Sequence, residues 1–312
     1  MLRRPLRTPL LPHVEDAIRT AIRIMLWMPM RPLPCGVHRA FLIVLLVWTQ
    51  QAAGTGQATG RTTSFTLHSA ILNEDRAFQI YIPAEPGSGT KAIYVLDGQA
   101  QFKTVVDALS ALGENRHLVI GVGNIWLRDR DYTPTRVSPS ASVDAAAAAV
   151  SGGGERFFAH LANELLPYVD SHYPVGSSRI LIGHSLGGLL AVNILLNHPG
   201  VFGRFIVIDP SMWWDNSRLV TEADSRLGRS FAPTALFLAI ANSKNKDRND
   251  VDAVRSDTTE NTAFIRPSVL LLDKFKAHPG NGIAFDWRYY KDQDHMSVFP
   301  AAVKDGLAFV LK

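Results

Sequence analysis

The spacing of apolar positions changes once along the chain. Residues 63–72 and 76–82 alternate apolar with polar side chains, and Asn73, Glu74 and Asp75 stand between them. Alternation of period two broken by turn formers predicts an antiparallel hairpin with one covered face. From Ala92 the style becomes short, nearly continuous apolar runs at 92–96, 118–122, 180–182, 205–208 and 235–240. Strands of that kind are buried on both faces, as in a parallel sheet. Helical spacing is predicted over 105–112, 155–168, 186–197 and about 259–276, with a last strand at 285–290 and a last helix at 301–311. The order predicts one α/β domain over residues 61–312: a mostly parallel sheet with an N-terminal antiparallel hairpin and helices on both faces. Residues 136–154, rich in Ser, Ala and Gly, read as a loop ahead of the helix that begins at Glu155.

Residues 1–60 have a different character. Cationic residues between Arg31 and Arg39 precede a nine-residue apolar run from Ala40 to Trp48, followed by small residues at Ala52, Ala53 and Gly54. This is the layout of a signal peptide over about 28–53, with an upstream prefix and a polar linker to residue 60. The expected location is periplasmic or secreted, the alternative an N-terminal membrane anchor. Nine apolar residues are too few to cross a bilayer as a helix, so no stable span is expected after cleavage. Met28 or Met30 is the more natural start for such a leader. The segment also explains the charge: it holds seven Arg and two acids, so the formal +4 of the whole chain becomes −1 over the remainder. A domain without basic excess is a poor partner for nucleic acid. The single cysteine, Cys35, precedes the apolar run, which excludes disulfides and thiol chemistry from a cleaved chain.

Candidate chemistry centres on Gly183-His184-Ser185-Leu186-Gly187, placed between an apolar strand and a helix that ends at Pro199-Gly200. A serine on a strand–turn–helix corner is held in a strained turn with its hydroxyl exposed, the presentation of a nucleophile in the α/β-hydrolase fold. The serine needs a base. In that fold the chain order is Ser, acid, His, and His295 follows the last strand in a polar loop before the final helix. The acid is open. The strand 235–240 carries none at its end; Asp247, Asp250, Asp252 and Asp257 lie farther along. Asp257 is favoured because it is anchored at an element end. Asp209, which ends the preceding strand, is a further option, and a Ser185–His295 dyad a third. The oxyanion is expected to meet the N–H groups of Leu186 and of Gln99, the latter in the turn Asp97-Gly98-Gln99. Asp97 is expected to tie that loop down. Trp213 and Trp214 are adjacent, so both cannot point inward from a loop, and one is expected to line the substrate pocket.

Read together, Tyr94-Val-Leu-Asp-Gly-Gln99, Arg130-Asp-Tyr-Thr-Pro134, Gly183-His-Ser-Leu-Gly-Gly188, Asp209-Pro-Ser-Met-Trp-Trp214 and Asp294-His295 resemble an esterase family of α/β-hydrolases. That family includes esterases of enterobactin- and bacillibactin-type iron-chelate trilactones, formylglutathione hydrolase, feruloyl esterases and mycolyltransferases. The resemblance spans about residues 62–312, and its motifs in order look most like the siderophore esterases. It implies that Ser185 and His295 are nucleophile and base, and that Arg130 and Tyr132 either approach the substrate or brace their loop. Where the family usually has an acid near the end of the strand 235–240, this chain departs.

The expected function is hydrolysis of a small-molecule carboxylic ester through an acyl-enzyme, a siderophore ester among the possibilities, with no metal or organic cofactor implied. An acyltransferase using the same Ser–His pair, and a non-catalytic binding protein on a hydrolase scaffold, are the alternatives. The absence of an acid near the strand end is the only support for the last.

Overall fold

The computed structural model describes residues 60–312 apart from 88, 125 and 243–249. The leader-like segment, Cys35 and Asp247 therefore lie outside the described residues. The alternating residues form β1 (Arg61–Ser69) and β2 (Glu74–Ile82), paired antiparallel from Arg61 opposite Ile82 to Ser69 opposite Glu74. Asn73 makes the turn with a positive φ of 59°, a conformation Asn tolerates better than most residues. The continuous runs form β3 (Ala92–Leu96), β4 (Leu118–Val122), β5 (Arg179–His184), β6 (Arg204–Ile208) and β7 (Thr234–Ala241), and β8 (Ile283–Tyr290) closes the far edge. The sheet has eight strands in the order β1-β2-β4-β3-β5-β6-β7-β8, antiparallel across β1-β2-β4 and parallel thereafter.

Neighbouring residues of one strand face opposite layers. Ile93 and Val95 pack beneath α1 (Gly98–Ala111) and the C-terminal helix, through Phe102, Val105, Phe299 and Val303. Tyr94 and Leu96 face the other layer. There the chain builds α2 (Arg128–Asp131), α3 (Ala145–Val150), α4 (Gly154–His160), α5 (Leu166–His172), α6 (Leu186–Asn197), α7 (Trp214–Leu227), α8 (Val251–Ser256) and α9 (Arg266–Ala277), before α10 (Phe299–Val310) returns to the first face. Helix α6 is buried from Leu186 through Leu196, as expected of a helix apolar on all sides.

Three helical features differ from the sequence expectation. The stretch 155–168 is not one regular helix: Leu161–Leu165 form a π turn between α4 and α5. Pro167 follows immediately and has no N–H for the helical ladder. The segment 136–154 contains α3, because Asp144 caps the alanine run by accepting from the Ala147 N–H at 2.8 Å. Its far end is fixed by the Gly153 and Gly154 N–H groups on the carbonyls of Arg130 and Thr133. Helix α7 was not anticipated, since its start is hidden by three successive left-handed residues: Asp215, Asn216 and Ser217 have φ of 51°, 52° and 60°. Among the described residues no helix is long and apolar enough to cross a membrane.

Candidate active site

Ser185 stands between β5 and α6 with φ 60° and ψ −123°. Such a conformation costs about 1–3 kcal/mol in a non-glycine residue and persists only where the surroundings impose it. Here they do. The Ser185 N–H donates to the Ile208 carbonyl at 3.1 Å, and the Ser185 carbonyl accepts from Leu189 and Ser211 N–H groups, each at 3.0 Å. The turn also needs glycine at its foot: a Cβ on Gly183 would lie 2.2 Å from the Gly187 carbonyl oxygen. The serine hydroxyl is 3.4 Å from that of Ser211, which is itself buried.

Ser185 and His295 line the same cavity of about 210 Å³, with Asp209, Pro210, Ser211, Trp213 and Phe264. The imidazole is oriented by Asp209. Its Nδ1–H donates to Asp209 Oδ2 at 2.6 Å, while Oδ1 accepts the Ala241 N–H at 3.0 Å. Asp209 is 6% exposed and sits just past β6 with a positive φ of 39°. A carboxylate can only accept, so the contact puts the His295 proton on Nδ1 and leaves Nε2 as the basic nitrogen.

The other candidate acids among the described residues stand elsewhere. Asp257, favoured from the sequence, ends α8 and accepts the Thr259 N–H at 2.7 Å. It stands in a turn linking α8 to the short 3-10 helix Glu260–Thr262. Asp250 caps α8 through the Ala253 N–H at 2.8 Å, and Asp252 pairs with Arg255. β6 delivers a carboxylate to this imidazole.

His184, next to Ser185 in the chain, braces the site. Its Nε2–H donates to the His295 carbonyl at 2.8 Å, and the two rings lie 4.5 Å apart. Burial, and after it the charge of His295, pushes its pKa down to about 4. It is therefore a neutral donor across the range in which a serine hydrolase works.

Leu186 opens α6, and Gln99 lies in the first turn of α1. The first N–H groups of a helix have no intrahelical acceptor, and β3 and β5, which lead into these helices, are neighbours in the sheet. Gly98 lets the start of α1 lie against β4, since a Cβ there would lie 2.3 Å from the Gly121 carbonyl carbon. Asp97 ties the loop down, accepting from Arg128 Nε and Nη2 at 3.3 and 3.2 Å. Burial raises its pKa and Arg128 opposes that rise.

The four residues considered for substrate contact separate. Trp213 lines the cavity, edge-on to Phe264 at 5.2 Å. Trp214 is buried, its indole N–H donating to the Thr135 carbonyl at 3.2 Å. Tyr132 is fully buried, and its hydroxyl accepts the Asp97 N–H at 2.9 Å. Arg130 is committed to Glu74 and Asp131 at 2.6 Å each. Of the two tryptophans Trp213 is the one in the cavity; burial or ion pairing occupies the polar groups of Trp214, Tyr132 and Arg130, and Tyr132 and Arg130 thereby brace their own loop. Sequence reasoning missed Phe264, Ser211, His184 and Arg128. Ser211 and His184 carried a signal, as parts of the Asp209–Trp214 and Gly183–Gly188 motifs.

Residues 69–305 match the family described as "Putative esterase". The chain is 25% identical over 281 residues to the ferri-bacillibactin esterase BesA of Bacillus subtilis, covering 81% of this chain and 93% of that protein. It is 26% identical to the siderophore enterobactin esterase of Emericella nidulans, covering 72% of this chain and 83% of the relative. Among solved structures it is similar to an IroE-like serine hydrolase from Shewanella oneidensis, with a TM-score of 0.70, 27% identity and coverage of 79% and 78% of the two chains.

Proposed function

The chain belongs to this esterase family and is a carboxylic ester hydrolase, and from that premise we propose that it is a serine esterase working through Ser185, His295 and Asp209. The observation that carries the reading is the 2.6 Å contact between His295 Nδ1 and Asp209 Oδ2 in a cavity that Ser185 also lines. Ser185 Oγ attacks the ester carbonyl while His295 Nε2 takes its proton. Asp209 holds the imidazole in the tautomer that leaves Nε2 free and stabilises the imidazolium that forms. The N–H groups of Leu186 and Gln99 receive the oxyanion. His295 returns the proton to the departing alcohol, then draws one from water, whose oxygen attacks the acyl carbon; the bond to Ser185 Oγ breaks as His295 gives that proton back to Oγ, releasing the acid.

The relatives whose names specify bacillibactin and enterobactin favour a siderophore ester as substrate. Asp209 removes the reason for reading the scaffold as non-catalytic. The test is labelling by a fluorophosphonate, with peptide mapping to Ser185, beside a hydrolysis panel of an iron-chelate trilactone, a feruloyl ester and a short acyl ester. Labelling that survives Ser185→Ala refutes the nucleophile; trilactone turnover below that of both other esters refutes the substrate class. The leader-like residues 28–53 further support export from the cytoplasm. Mass spectrometry of the mature N-terminus tests this, and a cell-associated chain that keeps the segment overturns it.

A further inference from the structure

The turn after β6 brings a second polar side chain to the nucleophile. Just beyond Asp209, Ser211 lines the same cavity. It is 4% exposed, and its Oγ stands 3.4 Å from Ser185 Oγ. Backbone contacts fix it there. The Ser211 N–H donates to the Ser185 carbonyl at 3.0 Å, and the Ser211 carbonyl accepts the Trp214 N–H at 3.1 Å. The preceding carbonyl, of Pro210, accepts the Met212 N–H at 2.7 Å and the hydroxyl of buried Ser268, on α9, at 3.0 Å. A polar group placed in this way needs little reorganisation when a reacting group arrives beside it.

The roles of Ser185, His295 and Asp209 leave this hydroxyl unused. A hydroxyl donates one hydrogen bond and accepts two. With its proton directed at Ser185 Oγ, Ser211 keeps its lone pairs for the cavity. The neighbouring walls offer less: Trp213 and Phe264 carry no acceptor, and Asp209 is turned to His295 and Ala241. An acceptor is needed in the second half of the reaction. Water that attacks the acyl carbon has two protons. His295 Nε2 takes one, and the other stays on the attacking oxygen. An alcohol has only the first. An acceptor for the second proton therefore favours water over an alcohol by about the worth of one hydrogen bond, roughly tenfold in rate.

We propose that Ser211 Oγ accepts the second proton of the deacylating water and so commits the acyl-enzyme to hydrolysis over transfer to an alcohol. The inference rests on the serine-esterase reading and adds to it the choice of acceptor. As the water oxygen bonds to the acyl carbon, one proton passes to His295 Nε2 and the second remains on that oxygen, held by Ser211. The bond from the acyl carbon to Ser185 Oγ then breaks, and His295 returns its proton to Oγ. The test is turnover of p-nitrophenyl acetate in aqueous methanol, with methyl acetate and acetate both measured and a melting curve for each variant. p-Nitrophenolate leaves without a proton, so acylation makes no demand on Ser211. Ser211→Ala should raise the ratio of methyl acetate to acetate about tenfold at fixed methanol. Ser211→Cys, close in shape but a weaker acceptor, should raise it severalfold. For so activated an ester deacylation limits kcat. In water alone kcat and KM of Ser211→Ala should therefore fall together about tenfold, while kcat/KM, which reports acylation, stays within about threefold. An unchanged product ratio in a folded variant overturns the proposal, as does a fall in kcat/KM equal to that in kcat, the mark of a distorted turn. Fluorophosphonate labelling separates this outcome from failure of the underlying reading. Labelling of Ser185 with an unchanged product ratio in the variants refutes the role of Ser211 alone; wild-type protein that is not labelled at Ser185 refutes both.

Discussion

Replacing Asp209 by Asn separates the acid identified by geometry from the one favoured by chain position. The Asp209 carboxylate accepts the Ala241 N–H on Oδ1 and the His295 Nδ1–H on Oδ2. An asparagine keeps an oxygen for Ala241 and must then turn its NH₂ towards Nδ1. Two donors cannot face each other, so His295 moves its proton to Nε2, the nitrogen that must be free to deprotonate Ser185. The variant thus loses both the negative charge beside the imidazolium and the working tautomer, with the backbone contact intact. In a well-studied serine protease triad the same exchange costs about 10⁴ in kcat, or about 5.5 kcal/mol of barrier. A fall of 10³ to 10⁴ in kcat, about 4 to 5.5 kcal/mol, is expected here, with thermal stability little changed. Asp257→Ala, by contrast, removes a turn contact to Thr259 away from the residues that line the serine's cavity and should leave kcat within about twofold. The assay is steady-state hydrolysis of p-nitrophenyl acetate at pH 7.5, with a melting curve for each variant. If Asp209→Asn keeps more than about a tenth of wild-type kcat, the Asp209 assignment fails and Ser185 and His295 act as a dyad. A large loss in Asp257→Ala with Asp209→Asn active would return the role to the sequence-favoured residue.

His184→Leu should lower kcat about tenfold with KM unchanged, because the buried His295 carbonyl loses its donor; His184→Gln, which keeps an N–H, should recover part of it, and a shift confined to KM would refute the bracing role. His184 also sets a pH dependence: its folded pKa of about 4 lies below the roughly 6.5 of an unfolded histidine. Its contribution to stability is therefore complete above about pH 6.5 and is lost as pH falls towards 4, on the order of 3 kcal/mol. Urea unfolding at pH 7 and 4.5 should show a shallower acid slope in His184→Gln, and an unchanged slope would contradict the burial argument. Gly183→Ala should give inactive or unfolded protein, since its Cβ would stand 2.2 Å from the Gly187 carbonyl oxygen; full activity would exclude the tight turn. Ser217→Gly, at φ 60°, should raise stability by up to about 1 kcal/mol by relieving a left-handed conformation, and a lower Tm would refute that.

What could be read from the chain follows from how local its causes are. The hairpin and buried strands are visible because burial on one or both faces writes a period directly into the sequence. The candidate nucleophile is visible because the strand, the turn and the helix that strain Ser185 are contiguous, and Gly183 sits within them. His295 is visible through chain order alone. The acid was ambiguous because its selection is a property of the sheet. β6 lies between β5 and β7, so an acid past the end of β6 starts nearer to Ser185 than one past β7, and a left-handed φ at Asp209 lets its carboxylate reach both Ala241 and His295. Nothing within ten residues of Asp209 records that. Helix α7 was hidden by the same kind of cause, three left-handed residues after Trp214 that no local propensity favours in succession. The strain falls where Trp213 is aimed at the nucleophile's cavity and Trp214 is locked to Thr135. The least legible parts of this chain are therefore the turns after β6, where backbone strain positions an acid and an aromatic wall against a serine more than twenty residues earlier in the chain.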